Sequence, residues 1–159
     1  MPARRSSVPV AAPSWCAKQH LSIREAASRS APGSGLRVHS LSANPSVITC
    51  LANDEGYDQV FSLQLAVLAR KGDVLIAFSG SGNSPNIVKA LEEARTIGMT
   101  SYAVLGYSGG KAKAIADVPI HVQIDDMQIA EDAQMIIGHM LMQWLYAQRG
   151  DVAAGKIRG

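Results

Sequence analysis

The 159-residue sequence predicts an α/β fold, a doubly wound parallel sheet of about four strands with helices on both faces. Short apolar runs alternate along the chain with segments of helical periodicity, which is the order of elements in a parallel sheet. The clearest run, residues 73–78, contains the continuous apolar segment VLIAF, as expected of a strand covered on both faces. Serine- and glycine-rich segments follow two of these runs, where the loops at the carboxyl ends of such strands belong.

The first predicted elements are one strand and two helices. The strand covers residues 36–41 and the first helix covers residues 45–52. The second helix covers residues 57–69, because five residues recur there at the spacing of a single helix face. These residues are Val60, Phe61, Gln64, Leu65 and Leu68.

A strand, a short loop and a helix are predicted next, within residues 72–97. The strand at 73–78 ends in the loop SGSGNS, residues 79–84, which we call the serine loop. The start of the following helix is well marked, since Ser84 is a favourable N-cap residue and Pro85 suits the first helical position. Its apolar face consists of Ile87, Val88, Leu91 and Ala94.

The remaining strands are predicted at residues 101–105 and 118–122, with a short helix at 112–116 between them. The first of these strands ends in the loop GYSGGK. Gly109 and Gly110 within this loop indicate a tight turn that requires positive φ angles.

A long helix, residues 125–148, closes the predicted fold and carries two apolar faces. One face is expected to pack on the core. The other face needs a cover that no later element supplies, so we expect a homo-oligomer, a dimer or tetramer, in which a neighbouring subunit covers it. The expected core stripe is Ile129, Ala133, Ile136, Ile137, Met140, Leu141, Trp144 and Leu145, and the second face is Met135, Gly138, Met142 and Tyr146.

Residues 1–35 have a different composition from the rest of the chain. They contain seven serines, seven alanines and four prolines with little periodicity, so most of this segment is predicted to be disordered or atypical. It is arginine- and serine-rich like an organelle transit peptide, whereas its apolar stretch VPVAAP is too short for a secretion signal. The predicted organisation is therefore this segment, a single domain at 36–148 and a flexible tail at 149–159.

Charge and cysteine content argue against several classes of function. The five basic residues and one acidic residue of segment 1–35 leave ten basic and twelve acidic residues for 36–159, so no basic nucleic-acid-binding face is expected. No apolar run reaches the 18 or so residues that a membrane span needs. Cys16 and Cys50 lack metal-type spacing, and we interpret both as reduced thiols of a cytoplasmic protein.

The serine loop predicts a phosphate site. A helix N-terminus that follows a strand and small hydroxyl residues presents unpaired backbone N–H groups and a partial positive charge to an anion. The loop is neither a Walker A loop, since no Gly-Lys-Ser/Thr follows, nor a full dinucleotide fingerprint, since Pro85 replaces its third glycine. The alternative is an ordinary turn with solvated serines. The candidate phosphate-binding residues are Ser79, Gly80, Ser81, Asn83 and Ser84.

The segment SGSGNSPNIVKALEEARTIGM resembles the signature of the sugar isomerase (SIS) phosphosugar-binding domain, and most of all its phosphoheptose isomerase branch. The resemblance covers residues 36–147 and includes NDEGYDQVFSLQL, YAVLGYSGGK and IAEDAQMIIGHMLMQWL. It implies the predicted fold, phosphosugar binding and aldose–ketose isomerisation, with sedoheptulose 7-phosphate as substrate.

The resemblance also implies roles for four residues outside the serine loop. Glu131 and His139 stand where the family's long helix carries a catalytic Gln and His, positions that share a zinc ion with the family's first unit. Asn53 and Asp54 stand where the family contacts the sugar chain; alternatively, they are polar residues that end a helix. Eight residues of helix span about 12 Å, so Glu131 and His139 must lean together to share one ligand.

One part of the family pattern is not recognisable. The family's first unit has a glycine-rich loop of the GNGGSA kind and a catalytic Glu, and the only acidic residue before Asp54 is Glu25. Two functions therefore stay open. The chain is either a phosphosugar isomerase or a non-catalytic SIS module that binds a phosphosugar or a protein partner as a sensor or assembly factor.

Overall fold

The fold is a parallel five-stranded sheet flanked by helices, described by the computed structural model for residues 9–12 and 38–148. All neighbouring strands are parallel, in the order β2-β1-β3-β4-β5. This arrangement confirms the predicted α/β class with a parallel sheet. The strands are β1 (Pro9–Ala12), β2 (His39–Ser40), β3 (Val74–Ser79), β4 (Thr100–Leu105) and β5 (Val118–His121).

Strand β1 corrects the sequence prediction for residues 9–12, which fall in the segment predicted to be mostly disordered. It lies between β2 and β3, with Val10 opposite His39 on one side and Leu75 on the other, so the sheet has five strands rather than about four. The run PVAA carries little strand propensity, and its pairing partners lie far along the chain. Proline is tolerated at its position as the first residue of a strand. The other residues of segment 1–35, and the predicted tail at 149–159, lie outside the described residues.

Five α-helices connect or follow the strands in the described part of the chain. The helix predicted at 57–69 is divided, because Val60 and Phe61 turn into the core between a 3-10 turn (Tyr57–Gln59) and a shorter α-helix. None of the described helices combines the length and apolarity that crossing a bilayer requires. The helices are α1 (Pro45–Asp54), α2 (Ser62–Leu68), α3 (Pro85–Ile97), α4 (Gly110–Ile115) and α5 (Met127–Ala147).

The main hydrophobic core lies on one face of the sheet, under α2, α3 and α4. Leu65, Leu75 and Leu91 are at most 1% exposed there, and the partly buried Ile48 and Leu51 of α1 pack against its edge. Burial of this apolar surface is the main force that holds α3 against the sheet. Helix α3 begins and ends where the sequence predicted, at Pro85 and Ile97.

The opposite face of the sheet has a smaller core. Phe78 and Val104 are buried there, with the partly buried Ile76 and Ile137 packed against them. Helix α5 supplies the cover, and its start is stabilised by Asp126, whose carboxylate accepts a hydrogen bond from Ile129 N at 3.0 Å.

Only part of the predicted core stripe of α5 packs on the sheet in the single chain. Ile137 of the stripe packs on the smaller core, whereas Ile136 and Met140 are 58% and 63% exposed. The buried residues of α5 are Ala130 and Gln134, which were not part of the stripe. The second apolar face was expected to need a cover from a neighbouring subunit. Two of its residues, Met135 and Met142, are already half-buried within the single chain. Helical periodicity shows that a face is apolar, but the choice of which face meets the sheet depends on the shape of that sheet.

The strand order predicts a ligand site beside β3. The order reverses between β1 and β3, and in doubly wound sheets ligands bind outside the carboxyl ends of the strands at such a reversal. The carboxyl end of β3 is Ser79, the first residue of the serine loop.

Candidate functional site

The serine loop is held in shape by its own hydroxyl groups. Ser79 is buried, and its Oγ accepts a hydrogen bond from Gly82 N at 3.0 Å. Ser81 Oγ accepts one from Asn83 N at 3.2 Å. Two of the three predicted phosphate-binding hydroxyls therefore stabilise the turn itself, although each retains the ability to donate its proton to a ligand.

The serine loop is also bonded to the first turn of α4. Gly82 O accepts a hydrogen bond from Ala112 N at 2.9 Å, and Asn83 Oδ1 accepts one from Lys111 N at 3.1 Å. Asn83 was predicted to bind phosphate, but its side chain is engaged in this contact and does not line the neighbouring cavity beside the start of α3. Gly109 and Gly110 have φ angles of +82° and +53°, as predicted for the tight turn that meets the serine loop.

The backbone of Gly82 lies close to the backbone of Gly109, and a substitution at Gly82 tests this contact between the two loops. A Cβ at Gly82 would lie 2.0 Å from Gly109 O, and its φ of +67° is unfavourable for other residues, so Gly82→Ala is expected to destabilise the fold strongly. Gly72 is the matched control, because its φ is +88° but a Cβ there meets no atom within 4 Å. We expect Gly72→Ala to lower the free energy of unfolding by about 1–2 kcal/mol. Gly82→Ala should lower it by about 1–3 kcal/mol more, measured by urea denaturation. Equal losses would show that the two loops do not meet this closely.

Unpaired donors surround the start of α3. Within the described residues, the backbone N–H groups of Ser81, Ser84 and Asn86 donate to no protein acceptor. Ser84 occupies the N-cap position as predicted, yet its hydroxyl makes no capping bond, so it too can donate to a ligand. Together with the positive end of the helix dipole, these groups suit a phosphate.

The donors open into a cavity of about 590 Å³ that we call the serine-loop cavity. Three parts of the fold form its walls: the serine loop with the start of α3, the 3-10 turn, and the first two turns of α5. Its volume suits a small phosphorylated metabolite. The lining residues are Tyr57, Asp58, Phe78, Ser79, Gly80, Ser81, Ser84, Pro85, Asn86, Ile87, Met127, Glu131 and Gln134.

The charged side chains that line the cavity are the carboxylates of Asp58 and Glu131, and Asp58 is paired with a lysine. Lys89 of α3 forms an ion pair with Asp58 of the 3-10 turn, and the hydrogen bond it donates lowers the pKa of Asp58 below its ordinary value. Glu131 of α5 has no such partner among the described residues. A phosphate would therefore be held by neutral donors and the helix dipole, not by a basic side chain lining the cavity.

The residues predicted from the family pattern are only partly brought together. Glu131 lines the cavity, whereas His139 is exposed two turns further along α5 and does not. Asn53 and Asp54 are exposed in the last turn of α1, where Asn53 Nδ2 donates to Asp54 Oδ1 at 2.7 Å. Neither lines the cavity, and this geometry matches the alternative of a polar helix end.

The described residues do not form a zinc site. They contain no group of three or more His, Cys, Asp or Glu side chains able to hold a metal ion. Glu131 and His139 are two potential ligands on one helix, separated by the rise of eight residues.

Two buried amides of the cavity were not predicted. Asn86 is 7% exposed and Gln134 is 1% exposed, and both line the cavity. Polar residues in amphipathic helices are usually solvated, so helical periodicity alone places them outside. Their positions in the sequence would have indicated the site. Asn86 lies in the first turn after the serine loop, and Gln134 lies three residues after Glu131 on the same helix face.

Comparison with known proteins relates the chain to one family. The family model described as SIS domain matches residues 18–106. A phosphoheptose isomerase from Trichlorobacter lovleyi is 38% identical over 124 residues, which are 78% of this chain and 63% of the relative. A phosphoheptose isomerase from Helicobacter pylori is 41% identical over 107 residues, which are 67% of this chain and 56% of the relative. The chain thus spans less than two thirds of the length of these two curated relatives.

Solved structures agree with the sequence comparison. The phosphoheptose isomerase of Neisseria gonorrhoeae superposes with a TM-score of 0.80 at 28% identity, covering 89% of this chain and 77% of that one. A phosphoheptose isomerase from Francisella tularensis has the same fold, with a TM-score of 0.74 at 24% identity over 86% of this chain and 75% of that one. The predicted resemblance to the phosphoheptose isomerase branch is confirmed.

Proposed function

Since the chain belongs to the SIS domain family, we propose that its serine-loop cavity binds a phosphosugar, with the phosphate held at the start of α3. The observation that carries this proposal is the set of unpaired donors around Ser84. Three backbone N–H groups and one hydroxyl belong to residues that line a cavity large enough for a sugar chain. A cluster of this kind satisfies a phosphate monoester without a basic side chain.

The phosphosugar we propose is sedoheptulose 7-phosphate. The relatives described above carry the name phosphoheptose isomerase, and the solved structure at 28% identity carries it as well. With the phosphate at Ser84, the sugar chain would extend along the cavity wall toward Glu131 of α5.

The reaction in question is aldose–ketose isomerisation. A base removes the proton next to the carbonyl group and an acid protonates the carbonyl oxygen, which gives an enediol that collapses to the isomeric sugar. Glu131 lines the cavity and is the candidate acid/base, whereas His139 lies outside the cavity. The described part of the cavity therefore supplies phosphate binding and one carboxylate on α5, but no histidine.

We predict that this chain binds sedoheptulose 7-phosphate but turns it over slowly or not at all. Binding the phosphate stabilises substrate and transition state about equally, so it lowers KM without raising kcat. The experiment pairs calorimetric titration with a coupled isomerase assay on the same sample, with and without added zinc. Saturable binding without turnover is expected.

Two results would contradict these expectations separately. No binding at millimolar substrate would remove the proposed function. Robust turnover that is lost in His139→Ala would keep the function but show that His139 reaches the substrate, for instance in an assembly of several chains.

A second candidate function is a non-catalytic SIS module that acts as a sensor or assembly factor. The separation of His139 from the cavity favours it, because such a module needs the phosphosugar site but no acid/base pair. Turnover in the assay above would favour the isomerase, and binding without turnover would favour the non-catalytic module.

We also propose that the chain self-associates through the apolar surface of α5, as a dimer or tetramer. Met140, Ile136 and Trp144 are at least 50% exposed on this helix, and a second copy of the same surface would bury them. The proposed compartment is the cytoplasm, where the exposed free thiol of Cys50 would stay reduced.

A further inference from the structure

The two buried amides of the serine-loop cavity, Asn86 and Gln134, have hydrogen-bonding groups that the protein leaves unused. They come from different elements, α3 and α5, and both line the same cavity. The backbone N–H of Asn86 is one of the proposed phosphate donors, whereas the side chains of both residues have no role in the proposed function.

The side-chain amide of Gln134 has a paired nitrogen and, within the described residues, an unpaired oxygen. Its Nε2 donates to Val104 O at 3.4 Å, a long bond. Since a carbonyl oxygen only accepts, the amide nitrogen must face Val104 and the amide oxygen must face elsewhere. Gln134 Oε1 has no donor among residues 9–12 and 38–148, although the side chain is 1% exposed.

Asn86 shows the opposite pattern. Its Oδ1 accepts a hydrogen bond from the adjacent Ile87 N at 3.0 Å, so the remaining group is the Nδ2 donor. This nitrogen has no acceptor in the described part of the chain, and the residue is 7% exposed. Ile87 N also donates to Ser84 O at 3.0 Å, so the backbone does not depend on the Asn86 side chain.

Buried amides without a binding role are normally satisfied by the protein itself. Leaving a buried donor or acceptor unpaired costs free energy, which a ligand that pairs with it returns on binding. Asn86 Nδ2 and Gln134 Oε1 are therefore expected to pair with polar groups of a ligand in the cavity.

We propose that Asn86 Nδ2 and Gln134 Oε1 bind hydroxyl groups of the sugar chain and so select polyhydroxylated phosphate monoesters over other phosphates. A hydroxyl both donates and accepts, so sugar hydroxyls supply the acceptor for Asn86 and the donor for Gln134. Sites built to bond a hydroxyl reject analogues that lack it, because the buried polar groups then stay unpaired. This inference rests on the proposed phosphosugar function and adds the specificity of the same cavity.

The test separates the hydroxyl contacts from the phosphate contact by using two ligands. Sedoheptulose 7-phosphate has both kinds of group, and propyl phosphate has the phosphate but no hydroxyl on its chain. The variants are Gln134→Met and Asn86→Leu, which keep side-chain size, and the control is Gln143→Met at an exposed position of α5. Calorimetry gives the affinities, and thermal unfolding verifies that each variant is folded.

Each cavity variant is expected to bind sedoheptulose 7-phosphate about tenfold more weakly, while its affinity for propyl phosphate stays within about twofold of the wild type. Gln143→Met should change neither affinity.

Equal losses of affinity for both ligands would overturn the inference, because the amides would then only maintain the shape of the site. Unchanged affinity for the sugar phosphate would overturn it too, and binding of neither ligand by the wild type would instead remove the proposed function. Because the two amides lie on separate elements, either variant alone decides the matter if the other fails to fold.

Discussion

Ser84→Asp is expected to abolish phosphosugar binding while leaving the fold intact. Ser84 is the N-cap residue of α3, and aspartate is as favourable as serine in that position. The new carboxylate would lie among the donors proposed to hold the phosphate. At about 4 Å and an effective dielectric constant near 20, two unit charges repel by about 4 kcal/mol, and the new carboxylate would also occupy the donors itself.

We therefore expect the Kd for sedoheptulose 7-phosphate to rise by at least about a hundredfold in Ser84→Asp, as measured by calorimetry. Ser46→Asp is the matched control, because it places the same charge near the start of α1, away from the cavity. Its affinity should equal that of the wild type. If Ser84→Asp retained the wild-type affinity, the phosphate would have to bind elsewhere.

Met140→Glu is expected to shift the protein from an oligomer toward the monomer. Met140 is 63% exposed in the single chain and lies on the apolar surface of α5 proposed to meet a second copy. A carboxylate without a partner in such an interface costs several kcal/mol, so the dissociation constant of the assembly should rise about a hundredfold or more.

The measurement is light scattering coupled to size exclusion, over a range of concentrations. Gln143→Glu serves as control, since it introduces the same charge at an exposed polar position of the same helix. A monomeric wild type at working concentration would refute self-association. A Met140→Glu variant with the mass of the wild type would instead place the interface on another surface.

The parts of the fold predictable from the sequence are those with local signals. Ser84 and Pro85 mark the start of α3, and the run VLIAF before them is long enough to identify β3. Strand β1 had no such signal, because its four residues are mostly small and their partners in β2 and β3 are distant in sequence. Its place in the sheet depends on pairing that no local pattern reports.

The site was predictable in its chemistry and less so in its geometry. The sequence identified the hydroxyl groups of the serine loop, but not that Ser79 Oγ and Ser81 Oγ accept bonds from the loop's own backbone. Likewise, Glu131 was predicted to belong to the site and lines the cavity, whereas His139 lies two turns away because a helix rises about 1.5 Å per residue. Asn86 and Gln134 were missed because burial of a helical amide depends on what packs around it.

The central claim is that the start of α3 binds the phosphate through three backbone amides. The most direct measurement is the titration of inorganic phosphate into isotope-labelled protein, followed in ¹H–¹⁵N NMR spectra. The amide resonances of Ser81, Ser84 and Asn86 are expected to shift together along one saturating curve. Lys111 N, which donates to Asn83 at 3.1 Å, is already paired and should respond little. If those three resonances stayed in place while others shifted, phosphate would bind at another site and the proposed function would lose its basis.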